Sequence, residues 1–436
     1  MHKNSILSIE TTTGKTYLLI YVLLLIAQFR LTDTSTAPPM ILRLVYWVLA
    51  IYPAILHPKL MPGIIALFYT ITIYWFAYGY MPYENYWYIL FVIPAIVVST
   101  RNRKNHFIIP RVLVYLMLYT LVINFIFDVS ISSLSTILLL IIALLYLSDR
   151  RDVSVIKMMS VGFCVATILL SIGFLMMKDQ YVREYAGVWE RSGWIDPNYF
   201  GMVLCLGGIC ALFELFKGDH MPLLEKWFYI ITLLLAIPVL IINASRGAVL
   251  AIGGSGLVLL LFSKTKMINK VLLILMAAVF LIVLYKYDLF ELLLYRINND
   301  NTGTGRLEIW MVKLDDFFQQ PFYNIVFGLG DEGGLQLGAD HITLGTVANG
   351  KLGFHNDFIG FLVKYGIIGF ILFLIVLFYP FRFVNRQSNK FPIVLSGIIA
   401  ISLYSFSLEP YSSGGTSFWL FYMYVLMISM NDKYMI

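Results

Sequence analysis

Three arginines and one histidine in the second half of this 436-residue sequence have the type and setting for chemistry on an anionic leaving group. Arg191 stands in Arg191-Ser192-Gly193-Trp194-Ile195-Asp196-Pro197-Asn198, Arg246 in Ser245-Arg246-Gly247, Arg306 after Gly303 and Gly305, and His355 in His355-Asn356-Asp357. Arginine is permanently cationic and grips phosphate oxygens through two parallel hydrogen bonds, so converging arginines make a diphosphate site. Arg306 opens an expected helix, whose free N–H groups and partial positive charge favour an anion that the glycines let come close. An ordinary histidine is mostly neutral near pH 7 and can accept a proton from a hydroxyl. Together they suit transfer of a group from a diphosphate carrier to an alcohol.

Each of these residues also has a plainer reading. Arg246 can snorkel to a membrane interface, Arg191 can pair with Glu190 or Asp196, Arg306 with Glu308 or a lipid headgroup, and His355 can be a hydrogen-bonded interface residue. Their positions along the chain decide whether they share a surface.

The elements that must position them are membrane helices. Hydrophobic residues make up 60% of the chain, aromatic residues 16% and charged residues 13%, with a mean hydropathy of +0.81; a water-soluble domain carries roughly 25% charge. The apolar residues fall in runs long enough to cross a hydrocarbon layer of about 30 Å. Strands of a membrane barrel would alternate at every residue, and these runs do not. The expected fold class is therefore all-α, a polytopic bundle of 12–14 transmembrane helices forming one integral membrane domain over 1–436. Candidate spans lie at 14–31, 40–56, 61–79, 86–99, 107–127, 131–147, 154–177, 198–216, 226–243, 246–262, 268–285, 357–379, 392–408 and 416–430. Cys164, Cys205 and Cys210 all fall inside these runs and read as small buried hydrophobes.

Alternate connections hold the basic clusters Arg101-Arg103-Lys104, Arg150-Arg151, Lys264-Lys266-Lys270 and Arg382-Arg386-Lys390. Lysine and arginine are retained on the cytoplasmic side, which places both termini there and the segments 178–197 and 286–356 outside. The net charge of +6 thus reports topology, and no basic, aromatic-interleaved stripe points to nucleic acid. The large outer loop 286–356 contains an amphipathic helix in which Leu307, Trp310, Met311, Leu314, Phe317 and Phe318 are expected on one apolar face. Arg306, Glu308, Lys313, Asp315 and Asp316 are expected on the other. Pro321 ends it, and Gly328, Gly330, Gly333 and Gly334 read as a flexible turn region.

Span centres are almost free of acids, with Arg43 and Lys364 the main ionisable exceptions; this argues against a coupled transporter, which needs carboxylates near the midplane. The glycine region lacks the Lys-Ser/Thr of a nucleotide loop. Asn298, Asp300 and Thr302 begin a faint calcium-loop pattern that ends on Ile309 where glutamate is needed, and no histidine pair has metal-ligand spacing, so no metal site is expected.

Five segments occur in order: 191–200, Ala244-Ser245-Arg246-Gly247-Ala248, Gly305-Arg306 with Trp310, Phe327-Gly328-Leu329-Gly330, and His355-Asn356-Asp357-Phe358 leading to Gly366-Ile367-Ile368-Gly369. In that order and with that long outer loop the sequence resembles the O-antigen ligase and O-antigen (surface polysaccharide) polymerase superfamily. The resemblance covers the second half of the chain, while the first half matches only as a set of spans. It implies an inverting glycosyltransferase of the bacterial inner membrane, using an undecaprenyl-diphosphate-linked oligosaccharide at the periplasmic face without cofactor, nucleotide sugar, ATP or metal. By the same resemblance Arg191, Arg246 and Arg306 hold the diphosphate and His355 takes the acceptor proton, with Asn198 and Asn356 as supporting groups that orient His355 or the sugar. The acceptor is a second lipid-linked glycan in a polymerase or lipid A-core in a ligase, and a chain-length regulator protein is an expected partner alongside membrane lipids. A lipid-linked oligosaccharide flippase or other transporter, and a scaffold within an assembly complex, are the alternative classes.

Overall fold

The computed structural model describes residues 62–67, 70, 110–127, 153–176, 182–185, 188–191, 197–217, 221–299, 306–339, 353–409, 411 and 416–431. The expected spans at 14–31, 40–56, 86–99 and 131–147 and the residue Arg43 lie outside these, as does most of 61–79.

Helices form where the sequence places apolar runs, because a backbone in hydrocarbon must satisfy its hydrogen bonds within its own segment. In chain order they are α1 (Arg111–Phe127), α2 (Val153–Met176), α3 (Pro197–Phe216), α4 (Leu223–Ile242), α5 (Arg246–Phe262) and α6 (Met267–Lys286). Then come α7 (Glu291–Asn299), α8 (Arg306–Phe318), α9 (Phe322–Phe327), α10 (Gly330–Gln336), α11 (Asp357–Phe378), α12 (Phe391–Ser407) and α13 (Thr416–Met430). Among the described residues, five stretches are long and apolar enough to cross a membrane: Val155–Met176, Asn198–Phe216, Leu223–Ile242, Met267–Lys286 and Asp357–Phe383. Shorter apolar helices stand at four more of the expected spans. The chain is an all-α polytopic membrane protein. A small antiparallel ribbon, β1 (Val182–Tyr185) with β2 (Val188–Arg191), adds an element between α2 and α3 that the run of apolar segments does not signal.

The bundle is built on α2–α5 with α12 and α13. Lipid gives no hydrophobic drive for helices to associate, so close approach depends on small residues and interhelical hydrogen bonds. At the α2–α3 crossing, Thr167 donates to Leu204 O and the Cys164 thiol to Gly207 O. A Cβ added at Gly207 would stand 2.2 Å from Thr167 Oγ1 and 2.5 Å from Phe163 O. Ser255 on α5 and Ser396 on α12 donate to each other's carbonyls at 3.2 and 3.0 Å. All three cysteines are buried within the bundle. On α6, by contrast, Leu284 is buried and the remaining side chains are exposed or half-exposed.

Two readings of the 286–356 loop change. The glycine-rich stretch after Pro321 is helical, forming α9 and α10, because Gly328 at φ 94° and Gly330 at φ 75° each take one left-handed step that lets two short helices meet at an elbow. In α8, Lys313 is buried together with Ile309 and Phe317, whereas Leu307, Met311 and Phe318 are exposed. Of the six residues expected on the apolar face, Phe317 is buried, Trp310 and Leu314 are half-buried, and Leu307, Met311 and Phe318 face outward. The inward stripe runs at four-residue intervals through a lysine, whose charge hid it from a hydrophobicity pattern.

The elbow wedges into a break in α11. Gly366 adopts φ 66° and ψ −173° within that helix. Leu329 N–H bonds Val363 O, and a Cβ on Gly366 would lie 2.3 Å from Val326 O. Tyr119 of α1 closes the junction by donating to both Phe327 O and Tyr365 O, while Asn124 accepts from Asp331 N–H and donates to the Tyr365 hydroxyl.

Candidate active site

His355 sits in a turn whose neighbours are fixed on both sides. Phe354 N–H donates to Glu409 Oε1 at 3.1 Å, and its carbonyl accepts from the Trp310 indole at 2.8 Å. The following Asn356 caps α11, its Oδ1 accepting from Phe358 N–H at 2.9 Å and Ile359 N–H at 3.2 Å. Asp357, buried, accepts from Tyr411 N–H through both oxygens. Between these anchors His355 takes φ 50°, a left-handed conformation that is uncommon outside glycine but enriched for His, Asn and Asp. Its side chain is half-buried. Gly353 keeps room beside it: an added Cβ would stand 3.0 Å from Glu409 Oε1 and 3.8 Å from His355 Nε2.

Arg246 is the first residue of α5, after a turn in which Ala244 has φ 51° and Ser245 takes the N-cap position. That turn packs on α3, since a Cβ at Gly201 would lie 2.5 Å from Ser245 Cβ and 2.9 Å from Asn243 Nδ2. Asn198 is one turn before Gly201 on the same helix, hence on the same face. On its other side the start of α5 meets the end of α12, where a Cβ at Gly247 would lie 2.7 Å from Ser407 Oγ. One residue earlier, Phe406 packs edge-on against Trp310 at 5.5 Å between ring centroids. Two residues later, Glu409 holds Phe354. Arg306 opens α8, half-buried, one turn ahead of Trp310 on the same face.

The starts of α3, α5, α8 and α11 and the end of α12 thus lie at one end of the bundle, which puts Asn198, Arg246, Arg306 and His355 at that same end. Arg191 is the last residue of β2, opposite Val182, and its side chain lies outside what the structure describes. Six backbone steps from Pro197 hold its Cα within about 20 Å of the start of α3. Asn356 is buried as the α11 cap, so its carbonyl oxygen is committed to the helix.

Residues 231–374 match the O-antigen ligase family. The O-antigen ligase match runs from α4 into α11 and takes in Arg246, Arg306, His355 and Asn356, while Arg191 and Asn198 precede it. Four of the five motif segments lie inside it, so the resemblance read from the sequence is borne out over this stretch. No curated protein matches the chain.

Sequence reasoning missed Glu409, Lys364, Asp331 and Lys313 as the cluster packed around the Phe354–His355 turn. Lys364 is no isolated mid-span charge: its Nζ lies 2.7 Å from Asp331 Oδ1 and 3.6 Å from Glu409 Oε2. Lys313 Nζ donates to the carbonyls of Gly334 (2.8 Å), Leu335 (3.2 Å) and Leu337 (2.8 Å), closing the C-terminal end of α10. Both ammonium groups face the Phe354 ring, at 4.3 Å from its centroid for Lys313 and 5.3 Å for Lys364. Glu409 carried one signal: a lone acid directly after an apolar run.

Burial pushes the Lys313 ammonium down to about 7, against the pull of Glu409 and Asp316. Between pH 7 and 10.5 the folded chain holds fewer protons on this group than the unfolded chain, so its contribution to stability rises with pH across that window. Chemical denaturation in detergent at pH 7 and pH 9.5 is expected to show wild type gaining on Lys313→Met, by up to about 1.4 kcal/mol per pH unit.

Proposed function

We propose that this chain is a membrane glycosyltransferase that moves an undecaprenyl-diphosphate-linked oligosaccharide onto an acceptor hydroxyl. The observation that carries the reading is the clamped His355 turn at the same bundle end as Arg246 and Arg306, within the stretch similar to O-antigen ligases. His355 takes the proton from the acceptor hydroxyl as its oxygen bonds to the anomeric carbon. The bond from that carbon to the diphosphate breaks, and the leaving oxygen keeps the electron pair. Arg246, Arg306 and Arg191 neutralise the charge that builds there, the kind of electrostatic stabilisation that is usually the largest single contribution to rate. Attack opposite the leaving group inverts the anomeric carbon. All steps use the chain's own side chains, without nucleotide sugar or metal.

The basic connections at the other end, including Lys264, Lys266, Lys270, Arg382 and Arg386, support a cytoplasmic placement for that end and a periplasmic one for the site. Between acceptors we favour polymerase, with a second lipid-linked glycan as acceptor. Purified protein given a defined lipid-linked repeat, with and without lipid A-core, tests this directly. Longer lipid-linked products support polymerase, core attachment ligase, and transport across sealed vesicles without any new glycosidic bond would sink the enzyme.

Arg246→Lys keeps the charge but loses the two-pronged grip. At about 1.5–3 kcal/mol per charged hydrogen bond, transfer is expected to fall roughly tenfold to a hundredfold in that reaction. An unchanged rate would remove Arg246 from the diphosphate site.

A further inference from the structure

Lys364 is 1% exposed, two turns into α11 and one residue before the Tyr365–Gly366 break. A buried ammonium is costly unless paired, and this one is paired to carboxylates from two other elements, Asp331 on the first turn of α10 and Glu409 beyond α12. The Glu409 oxygen that does not face Lys364 accepts the Phe354 N–H, and Phe354 precedes His355. A continuous chain of contacts therefore leads from the elbow, through Lys364 and Glu409, to the peptide that presents the imidazole. Without the ammonium, a largely buried Glu409 would lose the charge that fixes it and would share the space with the half-buried Asp331 carboxylate.

We infer that Lys364 is a positioning residue for His355, acting through Glu409 and the Phe354–His355 turn. The inference rests on the reading of His355 as the base. It assigns the lysine neither contact with the substrate nor a part in moving ions.

The test is steady-state transfer by purified, reconstituted protein with a defined lipid-linked repeat, comparing Lys364→Met, Lys364→Arg, His355→Ala and the Lys364→Met/His355→Ala pair. A positioning role lowers kcat for Lys364→Met by about tenfold to a hundredfold with the donor KM within about twofold. It also predicts partial recovery in Lys364→Arg and no further loss when Lys364→Met is added to His355→Ala. Should Lys364→Met fail to fold, the charge-free variant Lys364→Met/Asp331→Asn/Glu409→Gln avoids stranded carboxylates and is expected to show the same kcat loss. A folded Lys364→Met or charge-free protein with wild-type kcat, or an equal further loss in the His355→Ala background, overturns the inference while leaving the base intact. Wild-type activity in His355→Ala overturns the base and this inference with it.

Discussion

Replacing His355 by alanine is expected to lower the rate of the proposed glycan transfer by about 10²–10⁴, the usual worth of a positioned general base, with protein level and membrane insertion unchanged. The structure separates these two readouts. The peptide before His355 is held by Glu409 and Trp310 and the helix after it by the Asn356 cap, and none of those bonds uses the imidazole. Alanine pays roughly 1–2 kcal/mol for the left-handed backbone at φ 50°, a modest loss set against a missing base. Product formation in reconstituted protein, alongside immunoblots of membrane fractions, measures both. Full transfer by His355→Ala takes the histidine out of the mechanism.

Gly366→Ala is expected to be among the most damaging single-methyl changes in the described structure. At φ 66° and ψ −173° the backbone is in a region essentially reserved for glycine, which costs about 1–3 kcal/mol for another residue. The new Cβ would also lie 2.3 Å from Val326 O and 2.5 Å from Gly328 N, both backbone atoms that cannot swing aside. Displacing the elbow breaks the Leu329–Val363 hydrogen bond and the Tyr119 junction. Together these place the loss at about 4 kcal/mol or more, in the range reserved for severe packing defects. Thermal denaturation and folded yield in detergent measure it. Gly253→Ala is the control: nothing lies within 4 Å of its Cβ position on α5, and alanine there gains up to about 1 kcal/mol of helix propensity. Equal behaviour of the two variants would mean that the elbow does not depend on Gly366.

Much of the bundle is legible in the sequence because a membrane helix announces itself by an apolar run, whatever it touches. Asn198, Arg246 and His355 can be placed at one end of the bundle for a related reason: each stands where such a run begins. What the sequence hid depends on contacts between distant segments. Lys313 looked solvated because a periodicity count scores any lysine as polar, yet three carbonyls at the end of α10 make its burial tolerable. Lys364 looked stranded because its partners, Asp331 and Glu409, are far from it along the chain or beyond a turn. The glycines at 328 and 330 read as slack, whereas they supply the two left-handed steps of a packed elbow.

That elbow has a consequence for the order of synthesis. Both surfaces it leans on before meeting α11, Phe127 and Asn124 of α1, are made earlier in the chain, as is the elbow itself. When α11 leaves the ribosome its docking cradle already exists, and the helix need only bend on arrival. A chain ending between Gln336 and Asp357 and released from the ribosome should therefore already show an elbow protected from protease, ahead of any catalytic competence.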